Sequence, residues 1–242
     1  MSYPIHKNKH IKTALFHPKD FLKYAKAKRK NYPKKYIIVF STRLFSYIQR
    51  KFKKRARKVK ELGKDMLLLD KVGIIKMKGI GSPQMVTTIE ERIAQGGKEF
   101  IIVGTAGGLD DFGVYVCDKA IRDEGTSYHY VSHGKYAHPD KKLTEQIATM
   151  LEKKKISFKK GTTWTIDAPY RETKSEVEQY KKEGVKTVEM EASALFVLGK
   201  VRKVKCAAIF VVSDVLGKKW KPNFNESHVR RKLNQVVEAV VG

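Results

Sequence analysis

Residues 99–108 read EFIIVGTAGG: four bulky apolar residues in a row, then glycine, threonine, alanine and two more glycines. An unbroken apolar run marks a strand covered on both faces, as in the sheets of α/β proteins. The small residues that follow let the backbone come close to a ligand, and Thr105 adds a hydroxyl that can meet an oxyanion. The same residues also suit simple close packing at a strand end.

The pattern recurs on both sides of this stretch. YIIVF at 36–40, VGIIKM at 72–77, GVYVCD at 113–118 and CAAIFVV at 206–212 are further strand candidates rich in β-branched residues. Helical periodicity is expected over about 43–62, 83–96, 140–154, 174–183, 188–200 and 226–241. The 43–62 stretch keeps Leu44, Ile48, Phe52, Val59 and Leu62 among its charges and reads as one amphipathic helix. No repeat, low-complexity tract or long linker interrupts the chain. The expectation is an α/β fold, a single domain over 1–242 with a central mixed β-sheet flanked by helices, and Trp164 in its core.

Charge is distributed unevenly. The formal net charge is +26, and residues 1–64 hold 21 Lys and Arg against only Asp20 and Glu61. The run RKFKKRARKVK at 50–60 can attract phosphate backbones, so nonspecific nucleic acid is a candidate partner for residues 43–64; the alternative is a solvated helix face. No aromatic-rich RNA-binding signature accompanies the charge. Cys117 and Cys206 sit in separate apolar runs, as core thiols of a reducing compartment do. No leader-type apolar segment and no run of about eighteen apolar residues occurs, so a cytoplasmic protein without a membrane partner is expected.

Ligands of open α/β sheets bind beyond the carboxyl ends of strands. There the sequence places Ser41-Thr42-Arg43, then KGIGSP with Ser82 as a cap for a helix starting at Pro83, then Gly104 to Gly108, then Ser213-Asp214. Gly79-x-Gly81 lacks a third glycine, Gln84 standing in its place, so the dinucleotide fingerprint fails. In EMEASALF, 189–196, helical spacing sets Glu191 between Leu195 and Leu198 on the apolar side. A carboxylate buried there needs a partner, a proton, or a ligand that supplies donors.

Taken together, GIGSPQMVTTIEERIAQGG, VGTAGGL, AIRDEGTSYHY, VEMEASALF and VVSD resemble, in order and spacing, segments of the nucleoside phosphorylase family that contains hexameric purine nucleoside phosphorylases and uridine phosphorylases. The resemblance covers most of the chain and implies a phosphorylase-type fold. It implies that Glu191, with Glu189 and Met190, binds ribose, and that Thr105, Arg43, Ser41 and Lys64 serve phosphate. Ala106, Gly107, Tyr170, Arg171 and Asp214 would meet the base, and Asp214 would protonate a departing purine at N7. His10 resembles the histidine that reaches a ribose 5′-hydroxyl across a dimer interface, with His6 and His17 as rivals. No metal or organic cofactor is implied, inorganic phosphate being the co-substrate, and the assembly implied is a hexamer built from dimers.

Departures from the family pattern are concentrated at phosphate. Three arginine positions are occupied by Phe45, Ile102 and Lys64, and a lysine cannot form the bidentate fork of a guanidinium. Arg43, beside Ser41 and Thr42, can rebuild an anion site with Thr105. A nucleosidase that uses water, a pyrimidine phosphorylase, and a phosphorylase-like scaffold that binds RNA are the alternatives to a purine-type phosphorylase.

Overall fold

The computed structural model describes residues 4–27, 32–217 and 219–242. In chain order the elements are α1 (Pro18–Tyr24), β1 (Lys35–Val39), α2 (Thr42–Lys51), β2 (Ala56–Glu61), β3 (Lys64–Leu69), β4 (Val72–Lys76) and α3 (Ser82–Ala94). They continue with β5 (Glu99–Gly108), β6 (Val114–Asp123), β7 (Tyr136–Ala137), α4 (Lys141–Lys153), β8 (Lys159–Ile166), α5 (Lys174–Lys182) and β9 (Val185–Glu189). The last are α6 (Ala192–Arg202), β10 (Lys205–Leu216), β11 (Trp220–Pro222) and α7 (Ser227–Val241). The eleven strands of the described residues join one mixed sheet, in agreement with the expected α/β class.

The sheet has two parts. On one side of β5 lie β1, β4, β3 and β2 in that order, β1 parallel to both β5 and β4. On the other, β5 pairs with β10, β10 with β6, β6 with β8, β8 with β9, and β9 returns to β5 at Gly107 and Gly108. Those five strands therefore close into a ring, a small barrel with an open sheet attached. Closure places the carboxyl ends of β5, β9 and β10 beside one another.

Alternation along the strands builds two cores. Ile37, Val39, Ile101, Val103, Ile209 and Val211 face α2, α4 and α7, whereas Tyr36, Ile38, Phe100, Ile102, Ala208 and Phe210 face α3 and α6. Covering both faces is why these strands read as continuous apolar runs. Trp164 is fully buried in a third cluster with Ile121, Val177 and Val188, and Cys117 and Cys206 are buried free thiols. No helix of the described residues is long and apolar enough to cross a membrane.

The helix expected over 43–62 is corrected. It stops at Lys51, and residues 56–61 form β2, hydrogen-bonded to β3 alone. Leu62 and Gly63 both have positive φ, 50° and 71°, which is the backbone a two-residue hairpin turn requires. Of the β2 side chains only Val59 is buried, so the lysines and arginines of this run line an open sheet edge, where charge opposes edge-to-edge association. The helix expected over 188–200 is also corrected: Val188 and Glu189 end β9, and the helix begins at Ala192.

Two ion pairs tie this hairpin to α3. Arg92 Nη1 donates to Glu61 Oε2 at 2.7 Å, and Lys64 Nζ lies 2.6 Å from Glu91 Oε2. Arg92 is almost completely buried. Replacing Glu61 by Ala removes the hydrogen-bonded carboxylate of that guanidinium and leaves it only Glu91 Oε2, 3.9 Å away, a change expected to cost roughly 3 kcal/mol. Urea unfolding measures it; an unchanged midpoint would contradict the role given to the pair.

Candidate active site

A cavity of about 600 Å³, of the size that holds small ligands, opens where β5, β9 and β10 end. Gly104 to Gly107 form one wall, Val188 to Glu191 a second, and Phe210, Ser213, Asp214 and Leu216 a third. Phe40, Ile80, Trp220 and Phe224 close the rim, and Pro169, Tyr170 and Glu172 come from the segment after β8.

The strand ends fit together because their residues are small. A Cβ on Gly107 would lie 2.9 Å from Val188 Cγ1, and one on Gly108 would lie 2.6 Å from the Asp111 carbonyl oxygen. Only glycine allows β5 this approach to β9. The β10 register against β5 shifts between Val212 and Asp214, a bulge after which the successive residues Ser213 and Asp214 both line the cavity.

Glu189 organises the second wall. Its Oε2 accepts the backbone N–H groups of Glu191 at 2.7 Å and Ala192 at 2.8 Å, the free donors of the α6 N-terminus. Its Oε1 accepts the Thr165 hydroxyl at 2.5 Å, and Thr165 in turn accepts the Ser193 N–H at 3.0 Å. Glu189 thus lines the cavity while both its oxygens are engaged within the protein.

Glu191 is the residue before α6, not a position on its apolar face. It is nonetheless 5% exposed, because the loop after β4 folds over it and Gly81 donates its N–H to Oε1. Gly81 has φ 108°, which explains a glycine there. Ser82, expected as a cap, is instead the first residue of α3 and donates its hydroxyl to the Met190 carbonyl at 2.7 Å. Burial pushes both Glu189 and Glu191 above the ordinary carboxylate range, and the two charges oppose each other. The several donors around Glu189 favour charge there, while Glu191 takes backbone hydrogen bonds from Gly81 and Met190 and keeps capacity for ligand hydroxyls.

Asp214 lines the same cavity as Glu191 and is 7% exposed. Ser213 Oγ donates to its Oδ1 at 2.9 Å, and Trp220 Nε1 donates to Oδ2 at 2.8 Å. Trp220 and Glu172 were not among the expected residues. The tryptophan's signal is a large aromatic in the otherwise polar loop KKWKPNF, directly after the strand that carries the acid.

The remaining expected residues are divided. Met190, Thr105, Ala106, Gly107 and Tyr170 line the cavity, Tyr170 being fully exposed at its rim. Arg171 does not; it faces a shallow groove with Asp123, Asp167 and Glu176. Ser41 caps α2 by accepting the Leu44 N–H, and the Arg43 guanidinium meets Asn225 Oδ1 at 3.1 Å outside the cavity lining. Lys64 pairs with Glu91, and Phe45 and Ile102 are core residues. His10 lines a second cavity with His17, His129, Glu90 and Arg202. Among the described residues the charged groups of the first cavity are Glu172, Glu189, Glu191 and Asp214, without a cation.

Residues 66–242 match the phosphorylase superfamily, and the chain belongs to it. A purine nucleoside phosphorylase of Plasmodium vivax is 27% identical over 168 residues, covering 66% of this chain and 68% of the relative. A uridine phosphorylase of Treponema pallidum is 32% identical over 149 residues, 55% of this chain and 58% of that one. The fold matches the crystal structure of a Toxoplasma gondii purine nucleoside phosphorylase with a TM-score of 0.79 at 18% identity, over 90% of this chain and 92% of the other.

The hydrogen bonds around Glu189 generate a test. In Glu189→Gln the amide NH2 must face either the two backbone N–H groups or the Thr165 hydroxyl, whose proton is already directed at the side chain. Leaving a buried donor unpaired costs about 1–3 kcal/mol. Thermal unfolding of Glu189→Gln should show that loss, and wild-type stability would remove Glu189 as the organiser of this wall.

Proposed function

We propose that the protein is a nucleoside phosphorylase of the purine type, which cleaves the N-glycosidic bond of a ribonucleoside with inorganic phosphate to give free base and ribose 1-phosphate. The observation that carries the reading is the placement of Glu191 and Met190 across one cavity from Asp214. Glu191, buried but with acceptor capacity left, accepts the ribose hydroxyls, while Met190 packs against the sugar. As the bond to the base breaks, the ribosyl group becomes cationic, and a carboxylate at its hydroxyls is worth most at that moment. Asp214, held by Ser213 and Trp220, meets the Hoogsteen edge of the purine, and Tyr170 and Phe224 offer faces for stacking.

Phosphate is assigned to the Thr105 side of the cavity, with backbone N–H groups of the glycine-rich strand end. Arg43 joins it by turning from Asn225, and Ser41 sits beside it. A homo-oligomer, a hexamer built from dimers, supplies His10 to a neighbouring protomer's ribose. A second reading, a nucleosidase in which water attacks C1′, is favoured by the lack of a cation in the described lining.

Released base, measured by chromatography from a panel of nucleosides with and without phosphate, separates the two. The phosphorylase reading predicts release only with phosphate, and a roughly 100-fold or greater loss of kcat/KM in Glu191→Ala. Arg43→Ala should raise the KM for phosphate and leave that for nucleoside unchanged. Release in phosphate-free buffer, with ribose as product, would establish the hydrolytic reading instead.

A further inference from the structure

The base end of the cavity holds a second carboxyl group that the family resemblance does not supply. The segment after β8 makes a turn at Pro169–Arg171 and enters α5 through Thr173, which caps the helix by accepting the Glu176 N–H. Between turn and cap, one side chain of this segment is directed inward. It is Glu172, not Arg171, that shares the cavity with Asp214. The base end therefore carries two acids, Asp214 and Glu172, where the sequence suggested one acid and one arginine.

Three features of Glu172 stand out. It lines the cavity partly buried, and among the described residues its carboxyl has no hydrogen-bond or ion-pair partner. The charged groups that act on it are Asp214 from β10 and Glu176 from α5, both acidic, with no cation opposing them. Asp214, by contrast, already accepts a hydrogen bond at each oxygen. The cavity thus holds one carboxylate fixed as an acceptor and, near it, one carboxyl group left free.

Resting on the nucleoside-cleaving reading above, we propose that Glu172 is an acid of this site and supplies the proton that the departing base takes up. In the step, the C1′–N9 bond breaks and its electron pair moves onto the purine. The proton passes from the Glu172 carboxyl to N7, and phosphate oxygen or water forms the new bond to C1′. Base leaves neutral, Glu172 is left as carboxylate, and solvent reprotonates it. Burial first, and then the negative charges of Asp214 and Glu176, push the Glu172 carboxyl up to about 7, so an appreciable fraction carries a proton at neutral pH. The protonated form is present below that value and lost as pH rises through it.

A substrate that needs no proton isolates the role. A 7-methylpurine nucleoside carries its positive charge before the bond breaks and releases a neutral base unaided. Wild-type and Glu172→Gln proteins are compared on an unmodified purine nucleoside and on its 7-methyl counterpart from pH 5 to 9. The expected result is a wild-type kcat on the unmodified nucleoside that falls above about pH 7, and a loss of roughly 100-fold in Glu172→Gln together with that limb. The 7-methyl substrate should keep near wild-type rates in the variant. Equal losses on both substrates would overturn the proposal in favour of a structural or binding role, as would an unchanged rate or pH limb on the unmodified nucleoside. Wild-type protein that cleaves neither substrate would overturn the purine-nucleoside reading on which the proposal rests, and cleavage of the 7-methyl substrate alone would overturn only the proton donor.

Discussion

The site depends on the hydrogen bonds that Glu189 collects. A helix N-terminus leaves its first N–H groups without partners, and a buried one must find acceptors for them. Glu189 gives one oxygen to two such groups of α6 and the other to Thr165 of β8, so β8, β9 and the helix are joined at a single carboxylate. Glu191 has its position because of that junction. It is the turn between strand and helix, held at one end by Glu189 and covered by the loop of Gly81.

Closure of the barrel supplies the opposing wall. Gly107 and Gly108 let β5 meet β9 and β10 together, and the bulge at Ser213 is followed by Asp214 in the cavity lining. Neither residue could be enlarged without moving a strand, since the gaps on both sides are already filled. The result is a small acidic cavity within a strongly basic protein. Positive charge is concentrated instead on the N-terminal quarter, part of it along the open edge of β2, where it has a structural use of its own.

Much of this was legible in the sequence. Continuous apolar runs announced strands covered on both faces, and small residues after them marked the strand ends that build the cavity. Errors arose where a short-range pattern was overridden by tertiary context. The 43–62 helix fails because Leu62 and Gly63 turn the chain, a turn not signalled by the usual Asn-Gly pair. Glu191 was expected to be buried, and it is, but through a strand-to-helix junction that helical spacing alone cannot reveal. Arg171 and Glu172 are adjacent in sequence, and only the three-residue turn that ends at Arg171 decides which one enters the cavity.

Glu191, Asp214 and Glu172 are proposed to surround one nucleoside, sugar at the first and base at the other two. A crystal structure of the protein with a bound purine nucleoside analogue that resists cleavage tests this most directly. The expected density has the ribose hydroxyls within hydrogen-bond distance of Glu191 and the N7 edge of the purine toward Asp214 and Glu172. Ligand density in the His10 cavity, or in this cavity with the base directed away from both acids, would contradict it.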